Sequence, residues 1–170
     1  MSKKIAYGGI LLSLNAILLM LINVIPINTV FLLGLASLPI SIIIMEWGLS
    51  TGIIFYISSA ILGFIVINSK VQWLIYIFTF GIYGLVKYII ESDRHIIVEY
   101  LLKLIFANTS VLILYFIIKQ FVYIPINVIT ICAFELVFIL YDYIYSEFID
   151  YYHIKIKKII KINKGTHHND

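Results

Sequence analysis

The chain has 170 residues, a formal net charge of +3 at neutral pH, and a composition in which 62% of the residues are hydrophobic and 12% are charged. Hydrophobic segments follow one another with only short polar breaks, which excludes a soluble globular domain and identifies the lipid bilayer as the solvent of this chain. The excess of positive charge is explained by membrane insertion, and we expect no nucleic-acid partner.

Six hydrophobic runs approach the length of about 20 residues that an α-helix needs to cross the bilayer. In chain order they cover residues 5–25, 30–45, 49–67, 71–90, 96–118 and 122–145. The sequence therefore predicts an all-α, polytopic membrane protein in which residues 1–150 form a six-transmembrane-helix bundle. Residues 151–170 are predicted to form a basic amphipathic cytoplasmic tail, because isoleucines and lysines interleave there in a pattern that suits a helix in the lipid headgroup layer.

The distribution of basic residues predicts the orientation of the bundle. Six spans place one group of cations on the same side of the membrane: Lys3, Lys4, Lys87, Arg94, Lys103 and the lysines at 155, 157, 158, 161 and 164. Only Lys70 and Lys119 fall on the other side. Both termini are therefore expected in the cytoplasm of a bacterial cell. The first run lacks a small-residue cleavage site and is interpreted as a retained helix rather than a signal peptide.

Ionisable residues inside the spans are informative, because each costs about 2.5–3.5 kcal/mol at the bilayer centre and normally faces the bundle interior or a cavity. Helical spacing aligns Glu135 with Asp142 on the sixth span, and we expect both to meet Lys103 of the fifth. The wider prediction is a charge network in the cytoplasmic half, formed by Lys87, Glu91, Glu99, Lys103 and Asp142. Such a network either fixes helix packing or relays a proton or senses a partner, and for Glu135 both interpretations remain open.

The first span presents two different faces. Gly9, Ser13 and Ala16 form a stripe of small residues that suits close approach of a partner helix, whereas Asn15 lies roughly 120° away and suits the bundle interior. The single cysteine, Cys132, excludes a disulfide framework, and we expect no metal site and no cofactor. Catalytic motifs such as a P-loop or a zinc-binding His-Glu-x-x-His are missing, so we expect no enzymatic activity.

The first 90 residues resemble the substrate-binding S components of energy-coupling factor transporters. The shared features are the start with Lys3 and Lys4, the small-residue spacing of Gly9 and Ser13, Pro26 after the first helix, Leu-Ala-Ser-Leu-Pro at 35–39, and Gly48, Gly52 and Gly63 around the third span. The segment at 76–91, YIFTFGIYGLVKYIIE, resembles uncharacterised bacterial membrane proteins near that superfamily.

This resemblance implies a subunit that captures a vitamin-like micronutrient outside the cell and docks, through its first helix, onto a transmembrane coupling subunit driven by ATPases. Substrate would then bind in the outer half of the bundle. Depth and chemistry give the candidates Asn28, Gln72, Trp73, Tyr76, Tyr123 and Asn127, together with Glu135. The alternative for the aromatic members is an interfacial belt, since Trp and Tyr collect at that level in many membrane proteins.

Two other classes of function fit the same sequence. One is a non-catalytic scaffold or interaction protein of the bacterial cell envelope, which would need only an apolar bundle and a partner-binding face. The other is a small proton-coupled carrier that uses Glu135.

Overall fold

A computed structural model describes residues 2–92, 94–120 and 128–156 of the chain. Within these ranges the protein is all-α, with no β-strand. Its helices are α1 (Ser2–Val24), α2 (Thr29–Trp47), α3 (Leu49–Val66), α4 (Lys70–Ile90), α5 (Ile96–Ile118) and α6 (Val128–Tyr151). The predicted fold class is therefore confirmed. The predicted start of the sixth span at residue 122 lies outside the described residues.

Five of these helices, α1 to α5, are long and apolar enough to cross a membrane. The fully described part of α6 does not meet this criterion, and it carries Glu135, Asp142, Glu147 and Asp150. Large aliphatic side chains are exposed on the outer faces of the bundle, for example 66% of Ile54 and 57% of Leu112. A surface of this kind is stable against lipid and unstable against water. The protein is thus a multi-pass membrane protein.

Short connections make successive helices antiparallel. A 3₁₀ turn at Pro26–Asn28 joins α1 to α2. Gly48 alone joins α2 to α3, and its φ of 81° is a conformation that residues with a Cβ rarely adopt. α4 is continuous from Lys70 to Ile90 but contains a π-helical stretch at Tyr76–Gly81, and a second π-helical turn at Tyr152–Ile156 follows α6.

The bundle has two ends, which cross-helix contacts define. At the terminal end the rings of Tyr7 and Trp47 pack edge to face at 5.3 Å, and Tyr152 donates a hydrogen bond to Glu46 at 3.2 Å. At the distal end Asn23 of α1 donates to the carbonyl oxygen of Val66 at 2.8 Å. Burial raises the pKa of Tyr152, so its hydroxyl stays protonated as the donor to Glu46.

α2 is the central helix of the bundle. Its buried share is 56%, against 22% for both α1 and α3. Towards the distal end it packs Leu33 against Leu19 and Ile22 of α1, and towards the terminal end it packs Ile44 against Phe55 of α3. α1, α3, α4 and α6 pack against α2, whereas α5 packs against α4 and α6. Both cavities of the bundle have α2 residues in their walls.

Candidate functional site

A cavity of about 540 Å³ lies between α2 and α6 and reaches the distal end, where α2 begins. Its wall is largely apolar and includes Phe31, Leu38 and Phe80, while Asn28 and Thr29 supply polar groups at the mouth. Small-molecule sites in proteins commonly have about 300–1,000 Å³ and this mixture of apolar wall and few polar groups. The distal cavity is therefore the candidate binding site.

Tyr141 of α6 forms the inner wall of the distal cavity. Its hydroxyl lies 2.7 Å from Ser37 Oγ, which in turn donates to the carbonyl oxygen of Gly34 at 2.6 Å. The ring of Tyr141 packs edge to face against Phe80 at 5.1 Å. Gly34 leaves room for this ring, since a Cβ there would lie 3.2 Å from it. The aromatic wall is thus held in place by α2 and α4 together.

The structure does not bring the predicted substrate residues together. Asn28 lines the distal cavity, but Trp73 lies on the α3 side, where its indole donates to the carbonyl oxygen of Ala60 at 2.9 Å. Gln72 is on the same short segment of α4 and is not part of the cavity wall. Tyr123 and Asn127 lie outside the described residues.

Tyr76, which the sequence placed near a substrate, belongs instead to a buried polar cluster. Asn15 donates to the Tyr76 hydroxyl at 2.9 Å and to the carbonyl oxygen of Ala36 at 2.5 Å, and Ser59 donates to Asn15 Oδ1 at 2.7 Å. Asn15, Ser59 and Tyr76 are each 0% exposed. Because these hydrogen bonds join α1, α2, α3 and α4, the cluster orders the interior of the bundle rather than a binding surface.

Four of the predicted network residues form a closed ring of alternating charge towards the terminal end. Lys87 Nζ lies 2.6 Å from Glu91 Oε1 and 2.7 Å from Asp142 Oδ1. Lys103 Nζ lies 2.5 Å from Glu91 Oε1 and 3.0 Å from Asp142 Oδ2. Each ammonium group therefore bridges both carboxylates. The ring is electrically neutral and joins α4, α5 and α6.

Three of the four side chains in the charge ring are almost fully buried. Side-chain exposure is 2% for Lys87, 7% for Lys103 and 9% for Asp142, against 33% for Glu91. Asp142 also accepts a hydrogen bond from the Tyr83 hydroxyl. A second cavity of about 320 Å³ adjoins the ring and is lined by Lys87, Glu91 and His153. Glu91 is thus the most exposed member of the charge ring.

Two predicted acidic residues do not join the ring. Glu99 is partly exposed in the first turn of α5, and no ion pair involves it within the described part of the chain. Glu135 accepts a hydrogen bond from Asn108 Nδ2 at 3.3 Å, at an exposed position, and does not meet Lys103. The reason is distance: Glu135 is seven residues from Asp142, which is about 10 Å along a helix that rises 1.5 Å per residue.

The small-residue stripe of α1 lies on the outside of the bundle. Gly9 and Ser13 are exposed, Ala16 is partly exposed, and nothing within 4 Å would meet a Cβ added at Gly9. Ser13 Oγ donates to the carbonyl oxygen of Gly9 at 2.9 Å, so its hydroxyl is satisfied within the helix. Asn15 points to the opposite side, into the buried polar cluster.

Sequence reasoning missed the aromatic wall of the distal cavity, above all Tyr141, and Ser37, which holds the Tyr141 hydroxyl. A signal for them was present, because Tyr141 and Tyr145 are four residues apart and share one helical face with Asp142 close by. Comparison of the chain with protein-family models, with curated proteins and with solved structures finds no match.

Proposed function

We propose that this protein is the membrane-embedded, substrate-binding subunit of an importer of the energy-coupling factor type, specific for a vitamin-like micronutrient. The observation that carries the proposal is the cavity of about 540 Å³ between α2 and α6, which reaches the distal end of the bundle. The protein itself would perform no chemistry. It would bind the substrate and present it to a transmembrane coupling subunit with ATPases.

The walls of the distal cavity favour a small molecule with a flat apolar portion. Phe31, Phe80 and Tyr141 can pack against a ring of the substrate. Aromatic pairs prefer edge-to-face or offset packing with about 4.5–7 Å between ring centroids, and each such pair contributes about 0.5–1.5 kcal/mol. Asn28 and Thr29 would then contact a polar group of the substrate at the mouth.

Orientation is the second support. Lys3, Lys4 and Arg94 lie at the terminal end, whereas the distal end has Lys70 and Lys119. A further cluster of lysines, at 155, 157, 158, 161 and 164, follows α6 in the sequence. The positive-inside rule then places the termini in the cytoplasm of a bacterial cell, and the distal cavity faces outward. An importer subunit needs its binding site on that side.

The third support is the uncovered face of α1. Gly9 and Ser13 are exposed together with Ile10 and Leu14, so one side of α1 contacts no other helix of the bundle. Small residues on such a face let a second helix approach closely, which is a main source of helix association in membranes. A coupling subunit would bind there.

The test is mass spectrometry of small molecules that co-purify with the detergent-solubilised protein. We expect one compound to be retained by the wild type and lost from Leu38→Trp, whose indole would fill the distal cavity. Ile54→Trp, on the exposed face of α3, is the matched control and should retain the compound. A wild-type protein that is repeatedly free of ligand but retains a membrane partner would contradict the proposal and support the scaffold.

A proton-coupled carrier is the less favoured candidate. It would need Glu135 in contact with a substrate path, and Glu135 is not part of the cavity wall but faces outward beside Asn108.

A further inference from the structure

Glu135 and Asn108 form a polar pair in the middle of an exposed apolar surface. Asn108 lies near the centre of α5, a helix that spans residues 96–118, and donates to Glu135 Oε1 at 3.3 Å. One turn to either side on α5, Ile105 and Leu112 are 61% and 57% exposed. On α6 the equivalent neighbours, Ile131 and Ile139, are 44% and 50% exposed. This surface, which we name the α5/α6 face, therefore meets the hydrocarbon of the bilayer.

An acidic side chain on such a surface is costly. Even the most lenient insertion scale makes an acidic residue at the bilayer centre unfavourable, and such residues normally face a bundle interior and have a partner. Glu135 differs in this respect from Asp142, whose carboxylate contacts both Lys87 and Lys103. No lysine or arginine side chain that the structure describes forms an ion pair with Glu135.

We infer that the α5/α6 face is a docking surface, within the membrane, for a transmembrane helix of another protein that carries a lysine or arginine at mid-bilayer depth. Charge complementarity decides the class of partner, because a cation would neutralise Glu135 and remove it from lipid while Asn108 supplies a further hydrogen-bonding group. The α5/α6 face is separate from the small-residue stripe of α1. This inference therefore goes beyond the proposed function and does not depend on it.

The described part of a second copy of the same chain offers no free cation at the required depth. Lys87 and Lys103 pair within the charge ring, Lys70 and Lys119 lie at the distal end, and Lys3, Lys4 and Arg94 lie at the terminal end. A symmetric pair would instead bring Glu135 of each copy towards the other, and like charges repel strongly in a medium of low dielectric constant. The occupant is therefore a different chain.

Cys132 gives a native reporter for this surface. It is the single cysteine of the chain, it is exposed, and it lies three residues before Glu135 on the same side of α6. The probe is a designed leucine-alanine transmembrane peptide with one central lysine and one cysteine a turn away. Full-length protein and peptide are reconstituted together in lipid nanodiscs, and disulfide cross-linking to Cys132 is measured after mild oxidation.

We expect the lysine peptide to cross-link about tenfold more than an otherwise identical peptide with leucine in place of the lysine, because only the lysine pairs with Glu135. A tenfold difference corresponds to about 1.4 kcal/mol. Glu135→Leu and Glu135→Gln should both lower cross-linking of the lysine peptide to the level of the leucine peptide. The glutamine variant keeps the shape of the side chain, so it remains informative if the leucine variant folds poorly. Glu147→Leu removes an exposed acid three turns further along α6 and should have no effect.

Two results would overturn the inference. Equal cross-linking of the lysine and leucine peptides would show that the α5/α6 face has no preference for a cation. Preferential formation of a Cys132–Cys132 disulfide between two copies of the protein would show that the occupant is a second copy.

Discussion

Lys103 Nζ contacts Asp142 Oδ2 at 3.0 Å, although 39 residues separate the two in the chain, and this contact joins α5 to α6. Lys87 reaches the other oxygen of the same carboxylate at 2.7 Å, so Asp142 is held by α4 and α5 at once. α6 is also joined to α2 by the contact of Tyr141 with Ser37 at 2.7 Å. The charge ring supplies the ion pairs that join α6 to α4 and α5.

The charge balance of the ring predicts a specific pattern of stabilities. Lys103→Met leaves one lysine for two carboxylates, and breaking a buried ion pair in this way typically costs about 3–5 kcal/mol. Lys103→Met together with Asp142→Leu leaves the neutral pair Lys87 and Glu91, still 2.6 Å apart, so the double variant should recover much of the loss. Unfolding by SDS in mixed micelles measures both.

Lys119→Met is the control for this pair of variants. Lys119 Nζ lies 4.1 Å from the ring centre of Phe116 at an exposed position, and its loss should cost under about 1 kcal/mol. If Lys103→Met proves as harmless as Lys119→Met, or if the double variant is no more stable than the single one, the ring does not hold α6.

Asn15 should be important for stability although it contacts no substrate. Asn15→Leu removes the hydrogen bonds that Asn15 makes with Ala36, Ser59 and Tyr76. The hydroxyls of Ser59 and Tyr76, which are 2.5 Å apart, should remain hydrogen-bonded to each other. We expect a loss of about 1–3 kcal/mol in detergent from the buried groups left without a partner. Ser58→Ala, at a half-buried serine on α3 whose hydroxyl donates to the carbonyl oxygen of Ile54 in its own helix, should leave the melting temperature unchanged.

Periodicity in the sequence located some of these features and not others. Lys103, Ala107 and Ser110 follow one another at spacings of four and three residues on α5, and all three are buried, because such spacing aligns side chains on any straight helix. The same rule aligned Glu135 with Asp142, yet only Asp142 is buried. A helical face points inward only where neighbouring helices cover it, and that coverage is a property of the packed bundle.

Composition also left the inside and the outside of the bundle undetermined. Tyr76 and Trp73 are three residues apart and both suit a membrane interface, but Tyr76 is fully buried against Asn15 while Trp73 packs on Phe64 at 5.0 Å. In a chain that is apolar on all sides, hydrophobicity does not distinguish a core side chain from one that faces lipid. For the same reason the sequence did not predict the distal cavity, because its existence depends on where α6 lies beside α2.

Gly84 is required for the packing of α4 against α6. A Cβ at this position would collide with the hydroxyl oxygen of Tyr145. Gly84→Ala should therefore lower stability by about 1–3 kcal/mol through overpacking, and Tyr145→Phe in the same chain should restore most of it by removing the oxygen. Gly9→Ala is the matched control, since nothing lies within 4 Å of its added methyl group, and it should be neutral or slightly stabilising. Additive rather than compensating changes in thermal unfolding would contradict this close approach.

The α1 stripe offers a matched pair of serines for testing the coupling partner. Ser13 is exposed and Ser58 is half-buried, and each donates to the carbonyl oxygen four residues earlier at 2.9 Å. Ser13→Leu should abolish co-purification with a transmembrane partner because bulk there prevents close helix approach, whereas Ser58→Leu on α3 should retain it. Both variants should fold as the wild type does. Partner capture that survives Ser13→Leu would remove the proposed docking through α1.

The orientation of the bundle can be tested by cysteine labelling of whole cells, in a chain whose native Cys132 is replaced by serine. Ser69 and Gln120 are exposed at the distal end, and Ser92 is exposed at the terminal end. If the cations at the terminal end keep it in the cytoplasm, cysteines at 69 and 120 should react with an impermeant maleimide, and a cysteine at 92 should react only after the cells are opened. The reverse pattern would turn the distal cavity towards the cytoplasm. An importer subunit could not then receive its substrate from outside through this cavity, and the proposed function would fail while the packing of the bundle would stand.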